Sequence, residues 1–369
     1  MKKFNAVFLA AMLSFGTVTV VTPPKAEAFD WFSVAARAVV ASQQKAAIVE
    51  SLEYYDGEGR DKLMEELKEQ NGVNYDPTAN AMLERIMTNM SAGIAKSDAT
   101  IIEKPYRYFV NNDKSFNAFC ALGHNVSVNI GAFEFVNYNE EMLAAIIAHE
   151  MVHGQKNHSL NGAKKKLSVD VVLASVGGEL GVGSIIAANV VAAHAKNSGI
   201  TKKNEWEADN ISFEYMANAG YNVGACAAVW QQVLEQQNHR SNILQDILAP
   251  STHPSPDDRR DNFAKKMYEY SNKKVKVDEK TGAILVNGKE FTIPAATNTM
   301  SSKQRAYYLA GNLAEMYHKG QEKSNAYVRD NVVYVGNIGI MSALNGDKSA
   351  AALAVSYTHL RAHETRRHL

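Results

Sequence analysis

The run NEEMLAAIIAHEMVHG at residues 139–154 determines both the local fold and the chemistry expected of this chain. Asn139 is a residue type that caps helices, and the two acids that follow it suit the positive end of the helix dipole. One helical stripe then carries Met142, Ile146, His149 and His153. The stretch therefore predicts an amphipathic helix whose buried face carries both histidines.

The two histidines of this helix can bind one metal ion, because residues i and i+4 lie above one another on the same face. Glu150 points to the side, where it can act on a water beside the ion without being a ligand. The alternative is a chance pair of histidines, but the pattern arises by accident in only about 1% of chains of this length. A catalytic zinc needs three protein ligands and one open position. The rest of the chain must therefore supply a third ligand.

A second helix, predicted from Thr201 to a stop at Gly220, offers that ligand. Glu205 and Asp209 are four residues apart on a stripe that otherwise carries apolar residues, and buried carboxylates are costly unless they are paired or bind a metal. Glu205 can be the third ligand. Asp209 can accept the free ring N–H of a ligating histidine and hold its tautomer. The alternative is a solvated helix face that carries several acids.

Three ordered motifs carry a family resemblance: His149 to His153, then Glu205-Trp-Glu-Ala-Asp209, then His253-Pro254 followed by Arg259. With them the chain resembles the HtpX, Oma and CAAX prenyl protease family of zinc metallopeptidases, in particular its soluble, exported bacterial members of the BepA and LoiP kind. The likeness covers roughly residues 77–263. It implies that one zinc ion per chain is bound by His149, His153 and Glu205, with Glu150 as the catalytic base.

The same resemblance extends to the edge of the expected cleft. Residues Asn117, Ala118 and Phe119 look like the family's Asn-Ala-Phe-Ala strand, which lies along the active site and would form the substrate edge. The chain departs from the family pattern at Cys120 and His124, where small residues are usual.

The loop that carries His253 belongs to the same expected site. The resemblance places His253 near the zinc as a catalytic-site residue, and a role in structuring its loop is the alternative. Arg259 is expected to order that loop or to pair with an acid. His158 and His194 match no motif position, and we expect them to be surface or packing residues.

The net charge and the number of cysteines exclude some classes of protein. The 369 residues carry 39 acidic and 39 basic side chains, so no net charge favours nucleic acid or an anionic membrane surface as a partner. The only cysteines are Cys120 and Cys226, which excludes a cysteine-rich metal site or a disulfide scaffold while leaving one bridge open.

Two apolar stretches raise the question of membranes. Residues 1–28 have the charged start, apolar core and Ala-Glu-Ala28 end of a signal peptide, which predicts cleavage near Ala28 and a periplasmic or secreted chain. A retained N-terminal anchor is the alternative. Residues 171–193 are apolar but interrupted, which predicts a buried helical hairpin or a lid, with a membrane-dipping element as the minority interpretation. Membrane-associated partners remain compatible with this pattern.

These patterns predict an α+β fold. A mostly helical, zincin-like domain at residues 29–269 should contain a small antiparallel sheet, built from strands near residues 106–110, 115–121 and 126–131. Its edge could take up an extended peptide, although a hairpin that only supports the helix is equally compatible. Residues 270–354 predict a small α+β appendage without assigned chemistry.

The last segment, residues 355–369, looks foreign to the rest of the chain. Three of the 11 histidines fall within its last 14 residues, and no helical or strand pattern links them to what precedes. The string resembles translated sequencing-adapter read-through, so we expect it to be non-native and the natural C-terminus to be missing.

Taken together, the sequence predicts a zinc-dependent endopeptidase that hydrolyses extended or unfolded polypeptides, with misfolded cell-envelope proteins as the expected substrates. A zinc-bearing chaperone or assembly factor with little or no proteolysis is the alternative. The oligomeric state is left open.

Overall fold

The computed structural model describes residues 45–46, 49–165, 200–239, 242–244 and 253–365. The predicted signal peptide and the apolar segment 171–193 lie outside these residues. None of the described helices is both long and apolar enough to cross a membrane.

Helices make up most of the described chain. Residues 49–56 and 158–165 are helical. The remaining α-helices are α1 (Arg60–Asn71), α2 (Pro77–Ile94), α3 (Thr100–Glu103), α4 (Ile130–Phe135), α5 (Glu140–Gln155), α6 (Lys202–Ala219), α7 (Gly224–Gln236), α8 (Pro256–Tyr270), α9 (Ser302–His318) and α10 (Ala350–Thr365). The strands are β1 (Arg107–Asn111), β2 (Ala118–Ala121), β3 (Asn125–Asn129), β4 (Val275–Val277), β5 (Ile284–Val286), β6 (Lys289–Thr292), β7 (Ala326–Arg329), β8 (Val332–Val335) and β9 (Ile338–Ser342). This composition confirms the predicted α+β class.

The first sheet lies beside α5 and has the order β1-β3-β2. Strand β2 pairs with β3 in the antiparallel sense, with Ala118 opposite Val128. Strand β1 pairs with β3 in the parallel sense, with Arg107 opposite Asn125. Strand β3 lies between β1 and β2, parallel to the first and antiparallel to the second. The sheet is therefore mixed, whereas the sequence predicted an antiparallel sheet.

The ends of α5 and α6 follow from local chemistry. The Asn139 side chain accepts a hydrogen bond from the Met142 N–H at 3.0 Å, which caps α5 as predicted. Thr201 and Asn204 form a reciprocal capping box at the start of α6. Gly220 ends α6 with φ at +80°, a left-handed conformation that costs glycine little. The two helices pack against each other in the main hydrophobic core.

The C-terminal part adds two antiparallel three-stranded sheets, β4-β5-β6 and β7-β8-β9. Asn287 and Gly288 form the turn between β5 and β6, with φ of +53° and +76°. Helix α9 crosses α7 so closely that a Cβ on Gly311 would lie 2.4 Å from the Gly224 nitrogen. One continuous hydrophobic core thus runs from α2 to α10, and the domain boundary near residue 270 stays a prediction.

The final helix, α10, differs from the sequence expectation that residues 355–369 lack a helical pattern. Tyr357 is fully buried, and its hydroxyl donates to the main-chain oxygen of Glu322 at 3.4 Å. The Arg361 side chain donates to the carbonyl of Lys323 at 2.8 Å. The buried residues Leu353, Tyr357 and Leu360 follow helical spacing, a pattern that the concentration of histidines obscured. The non-native origin of this segment stays a prediction.

Candidate metal centre

Two helices bring three metal-ligand side chains to one point. His149 and His153 project from α5 and Glu205 from the first turn of α6, with one donor atom of each lying within 4.8 Å of the others. The two Nε2 atoms are 3.1 Å apart, and the Glu205 carboxylate lies 3.6 Å from His149 Nε2 and 3.4 Å from His153 Nε2. Two imidazoles and one carboxylate form a donor set that suits a catalytic zinc ion. The residues present therefore fit the predicted metal.

Glu205 is held ionised in a buried position. Its residue surface is only 1% exposed. Burial alone would raise the pKa of this carboxyl group, but the surrounding histidines His149, His153 and His253 overcome that cost and hold its pKa far below the usual range. A carboxylate that keeps its negative charge inside the protein is prepared to bind a cation.

Asp209, one turn after Glu205, supports His149 from behind. Its Oδ1 lies 2.9 Å from His149 Nδ1, on the opposite side of the ring from the metal point. Arg259 Nη2 lies 3.0 Å from the same ring nitrogen. If Nε2 is to bind a metal, Nδ1 must carry the hydrogen, and of its two neighbours only Asp209 can accept it. The His149 Nδ1–H therefore points at Asp209 and leaves Nε2 for a metal.

Arg259 neutralises Asp209 inside the protein. Its Nε donates to Asp209 Oδ2 at 2.8 Å, and Nη2 contacts Oδ1. The guanidinium carbon lies 3.8 Å from the centre of the Trp230 ring, which adds a cation–π contact. Burial would raise the pKa of Asp209, but the charge of Arg259 outweighs it and the pKa is lowered. The sequence indicated both residues but not Trp230, which no motif marks.

Glu150 lines the same cavity as the three ligand residues. Burial raises the pKa of Glu150 to about 7; His149 opposes this shift and the negative charge of Glu205 adds to it. A carboxyl group whose pKa lies near neutrality can accept and release a proton at a small cost in free energy. The structure therefore places the Glu150 carboxyl group in the same cavity as the candidate ligands, and its role as the base stays a prediction.

His253 completes the polar side of the cavity. It lies in the turn before α8, and its Nδ1 is 2.8 Å from Glu205 Oε2. The side chain is about 10% exposed, so it sits at the cavity wall and not on the outer surface. The structure thus brings His253 to the candidate ligand Glu205, and its role in catalysis stays a prediction.

The empty space at the cluster, which we call the metal cavity, amounts to about 630 Å³ when the solvent at its open side is included. Asn117 and Ala118 line it at the start of edge strand β2. Phe119 does not line it; this side chain packs on the other face of the sheet with Leu63 and Leu67 of α1. The alternation of a strand explains the difference, because neighbouring side chains point to opposite faces. The apolar part of its lining comes from Phe116, Ala145, Ile146, Val229, Trp230 and Phe263.

Sequence reasoning missed the contribution of His158. This residue is buried, and its Nδ1 lies 2.9 Å from Nδ1 of the ligand residue His153. Burial lowers the pKa of His158 to about 4, so the ring is neutral at physiological pH. The residue before it, Asn157, has φ of +50° and turns the chain back toward α6. An asparagine directly before the histidine was the only local signal of that reversal.

The two cysteines do not form a bridge. Cys120 and Cys226 are both buried free thiols, and burial raises the pKa of each. The two cysteines therefore form no disulfide with each other, and each packs separately in the interior. Cys226 also lines the metal cavity.

Helical packing, the His-Glu-x-x-His helix and a buried glutamate from a second helix together define a metallopeptidase domain. The chain belongs to peptidase family M48, whose family model matches residues 77–266, just over half of the sequence. This match confirms the family resemblance drawn from the three motifs.

Named relatives share part of the chain. The putative beta-barrel assembly-enhancing protease of Vibrio cholerae is 25% identical over 209 residues, which are 54% of this chain and 41% of that protein. The beta-barrel assembly-enhancing protease of Escherichia coli is 29% identical over 176 residues, 44% of this chain and 34% of the relative. Metalloprotease LoiP of Escherichia coli is 24% identical over 192 residues, 51% of this chain and 72% of that relative. The chain thus spans less than half the length of the first two relatives.

Proposed function

We propose that this chain is a zinc-dependent endopeptidase. The observation that carries the proposal is the meeting of His149, His153 and Glu205 at one point, with Glu150 on the wall of the same cavity. A zinc ion held by these three residues would act as a Lewis acid on the scissile carbonyl and on the attacking water.

The side chains of the chain itself carry out the proton transfers. Glu150 takes a proton from the attacking water and delivers it to the nitrogen of the leaving amine. Asp209 keeps the ring of His149 in the required orientation through the hydrogen bond at Nδ1. His253, at the same cavity, donates a hydrogen bond to the oxygen on which negative charge develops.

The substrate we propose is an extended or unfolded polypeptide. Strand β2 has a neighbour, β3, on one side only within the described residues, so its other edge can pair with a peptide. The Cys120 carbonyl is already occupied, because Ser159 Oγ donates to it at 3.1 Å. Pairing would therefore involve Ala118, the residue of β2 that lines the metal cavity, whose N–H would exchange its bond with the Asn117 side chain for one with the peptide.

We also propose an exported location and a role in the cell envelope. Two of the relatives bear names that refer to the assembly of beta-barrels, and residues 1–28 have the pattern of a signal peptide. Misfolded envelope proteins are the substrates that fit both features. Cleavage near Ala28 would release a periplasmic or secreted protein.

Casein turnover by the wild type and by Glu150→Gln tests the proteolytic function. Removal of a general base typically costs about 10²- to 10⁴-fold in rate, so the variant should be nearly inactive. Glu214→Gln, an exposed glutamate of α6, is the matched control and should keep the wild-type rate. Equal, near-zero turnover by wild type and Glu150→Gln, with unfolded clients still bound, would instead support the chaperone alternative.

A further inference from the structure

A chain of polar contacts leads from His153 to the protein surface. His158 Nδ1 lies 2.9 Å from His153 Nδ1, and the two rings meet edge to face with centres 5.0 Å apart. On its other side, His158 Nε2 lies 3.5 Å from Oε2 of Glu207. The side chain of His158 is 5% exposed and that of Glu207 is 42% exposed, so the chain runs from the interior to solvent.

We infer that His158 and Glu207 hold His153 in the one tautomer that leaves its Nε2 for zinc. The inference rests on the proposed metal set. If Nε2 of His153 binds the metal, its Nδ1 must carry the hydrogen, because a neutral imidazole has one donor and one acceptor. That hydrogen points at His158 Nδ1, which must then be the acceptor. His158 consequently carries its own hydrogen on Nε2, directed at the Glu207 carboxylate.

This arrangement assigns Glu207, the second glutamate of the Glu205-Trp-Glu-Ala-Asp209 motif, the role of orienting His158. The first glutamate supplies a ligand and the aspartate supports His149, whereas Glu207 reaches the metal site only through His158. Each ligating histidine thereby has its outer nitrogen occupied. His149 faces Asp209, which is paired with Arg259, while His153 faces the ring of His158.

A purely packing role for His158 makes a different prediction. A packing residue would be replaced without effect on metal binding by any side chain of similar volume. A positioning residue needs an acceptor at the place of Nδ1. Leucine fills much of the ring's volume without an acceptor, whereas the amide oxygen of asparagine can stand near Nδ1.

The test is the zinc dissociation constant at one fixed pH, measured on metal-free protein by competition with a chelator of known affinity. We expect His158→Leu to weaken zinc binding roughly 10- to 100-fold, the usual effect of losing a partner of a ligating histidine. His158→Asn should recover most of that loss. Glu207→Gln should weaken binding by a smaller factor. His318→Ala and Glu214→Gln, on exposed positions away from the site, should bind zinc as the wild type does.

Circular dichroism of each metal-free variant shows whether it folds. Wild-type affinity in a folded His158→Leu overturns the inference, and so does equal weakening by leucine and asparagine, which indicates packing alone. If His158→Leu does not fold, Glu207→Gln decides, and unchanged zinc affinity there overturns the inference. A wild-type chain that binds no zinc overturns the proposed metal set itself, a result distinct from the other three.

Discussion

Asp209 shows how strongly a single buried charge depends on its partners. Its carboxylate is 0% exposed and bonds with Arg259 on one side and His149 on the other. Either charge alone would be costly at this depth, but together they are compensated by hydrogen bonds and by the Trp230 ring. The pair therefore stabilises the fold and the orientation of a proposed metal ligand at once.

Replacing Asp209 by asparagine should destabilise the metal-free protein by about 3 kcal/mol, because Arg259 would lose the buried carboxylate that it bonds directly and keep only Glu205, 3.9 Å away, as a close counter-charge. Urea unfolding monitored by circular dichroism measures this loss. The matched control is Asp61→Asn, which removes a surface ion pair with Arg107. The Asp61 side chain is 72% exposed. That change should cost less than about 1 kcal/mol. Equal losses in the two variants would contradict the account of a buried pair.

Residue identities at the site were largely predictable from spacing. His149 and His153 are one helical turn apart, and Glu205 and Asp209 repeat that spacing on a second helix. His158 was not predictable, because its contact with His153 depends on a left-handed residue, Asn157, which reverses the chain. The motif did not specify the direction of the Phe119 side chain, which points away from that of Ala118 because neighbouring side chains of a strand alternate.

At the scale of elements, helix ends followed from the sequence because capping is local. Asn139, Thr201 and Gly220 each act through groups within a few residues of themselves. Strand pairing did not follow in the same way. The parallel pairing of β1 with β3 depends on which strand the chain inserts between the others, and no local pattern encodes that choice.

The start of α5 gives a direct test at this scale. Asn139→Ala removes the side-chain oxygen that accepts the Met142 N–H, so the protein should lose about 1 kcal/mol of unfolding free energy. Equilibrium urea unfolding measures the difference. Asn139→Asp keeps an acceptor and should restore most of the loss. An alanine variant as stable as the wild type would show that the cap does not contribute.

On the scale of the whole molecule, the C-terminal part is joined to the metallopeptidase region through α9. Helix α9 packs on α7, and the Arg305 side chain of α9 reaches the buried Asp347 side chain at 2.7 Å. Such contacts between distant segments are set by tertiary packing. The sequence predicted a small α+β appendage at residues 270–354, but not this ion pair.

Stability should depend on pH through Asp347. Burial would raise the pKa of this carboxyl group, but Arg305 and the N–H groups of Ala295 and Leu344 hold it below the ordinary value of 3.8. A lowered pKa in the folded state means that the stabilisation is fully present above about pH 4 and is lost as the pH falls through the folded value.

Asp347→Asn should therefore cost about 3 kcal/mol at pH 7, because Arg305 loses its buried counter-charge. The difference from the wild type should shrink as the pH is lowered below 3.8. Urea unfolding at a series of pH values measures it. A difference that stays constant down to pH 3 would show that the ionised carboxylate is not the source of the stabilisation.

We propose that one zinc ion, held by His149, His153 and Glu205, makes this chain a peptidase. The initial rate of casein cleavage, measured while zinc is titrated into chelator-treated protein, tests it most directly. We expect no cleavage before zinc is added, a linear rise, and a break at one zinc ion per chain. Glu205→Gln should show no such break. Full activity in the chelator-treated protein, or an identical titration by Glu205→Gln, would contradict the claim.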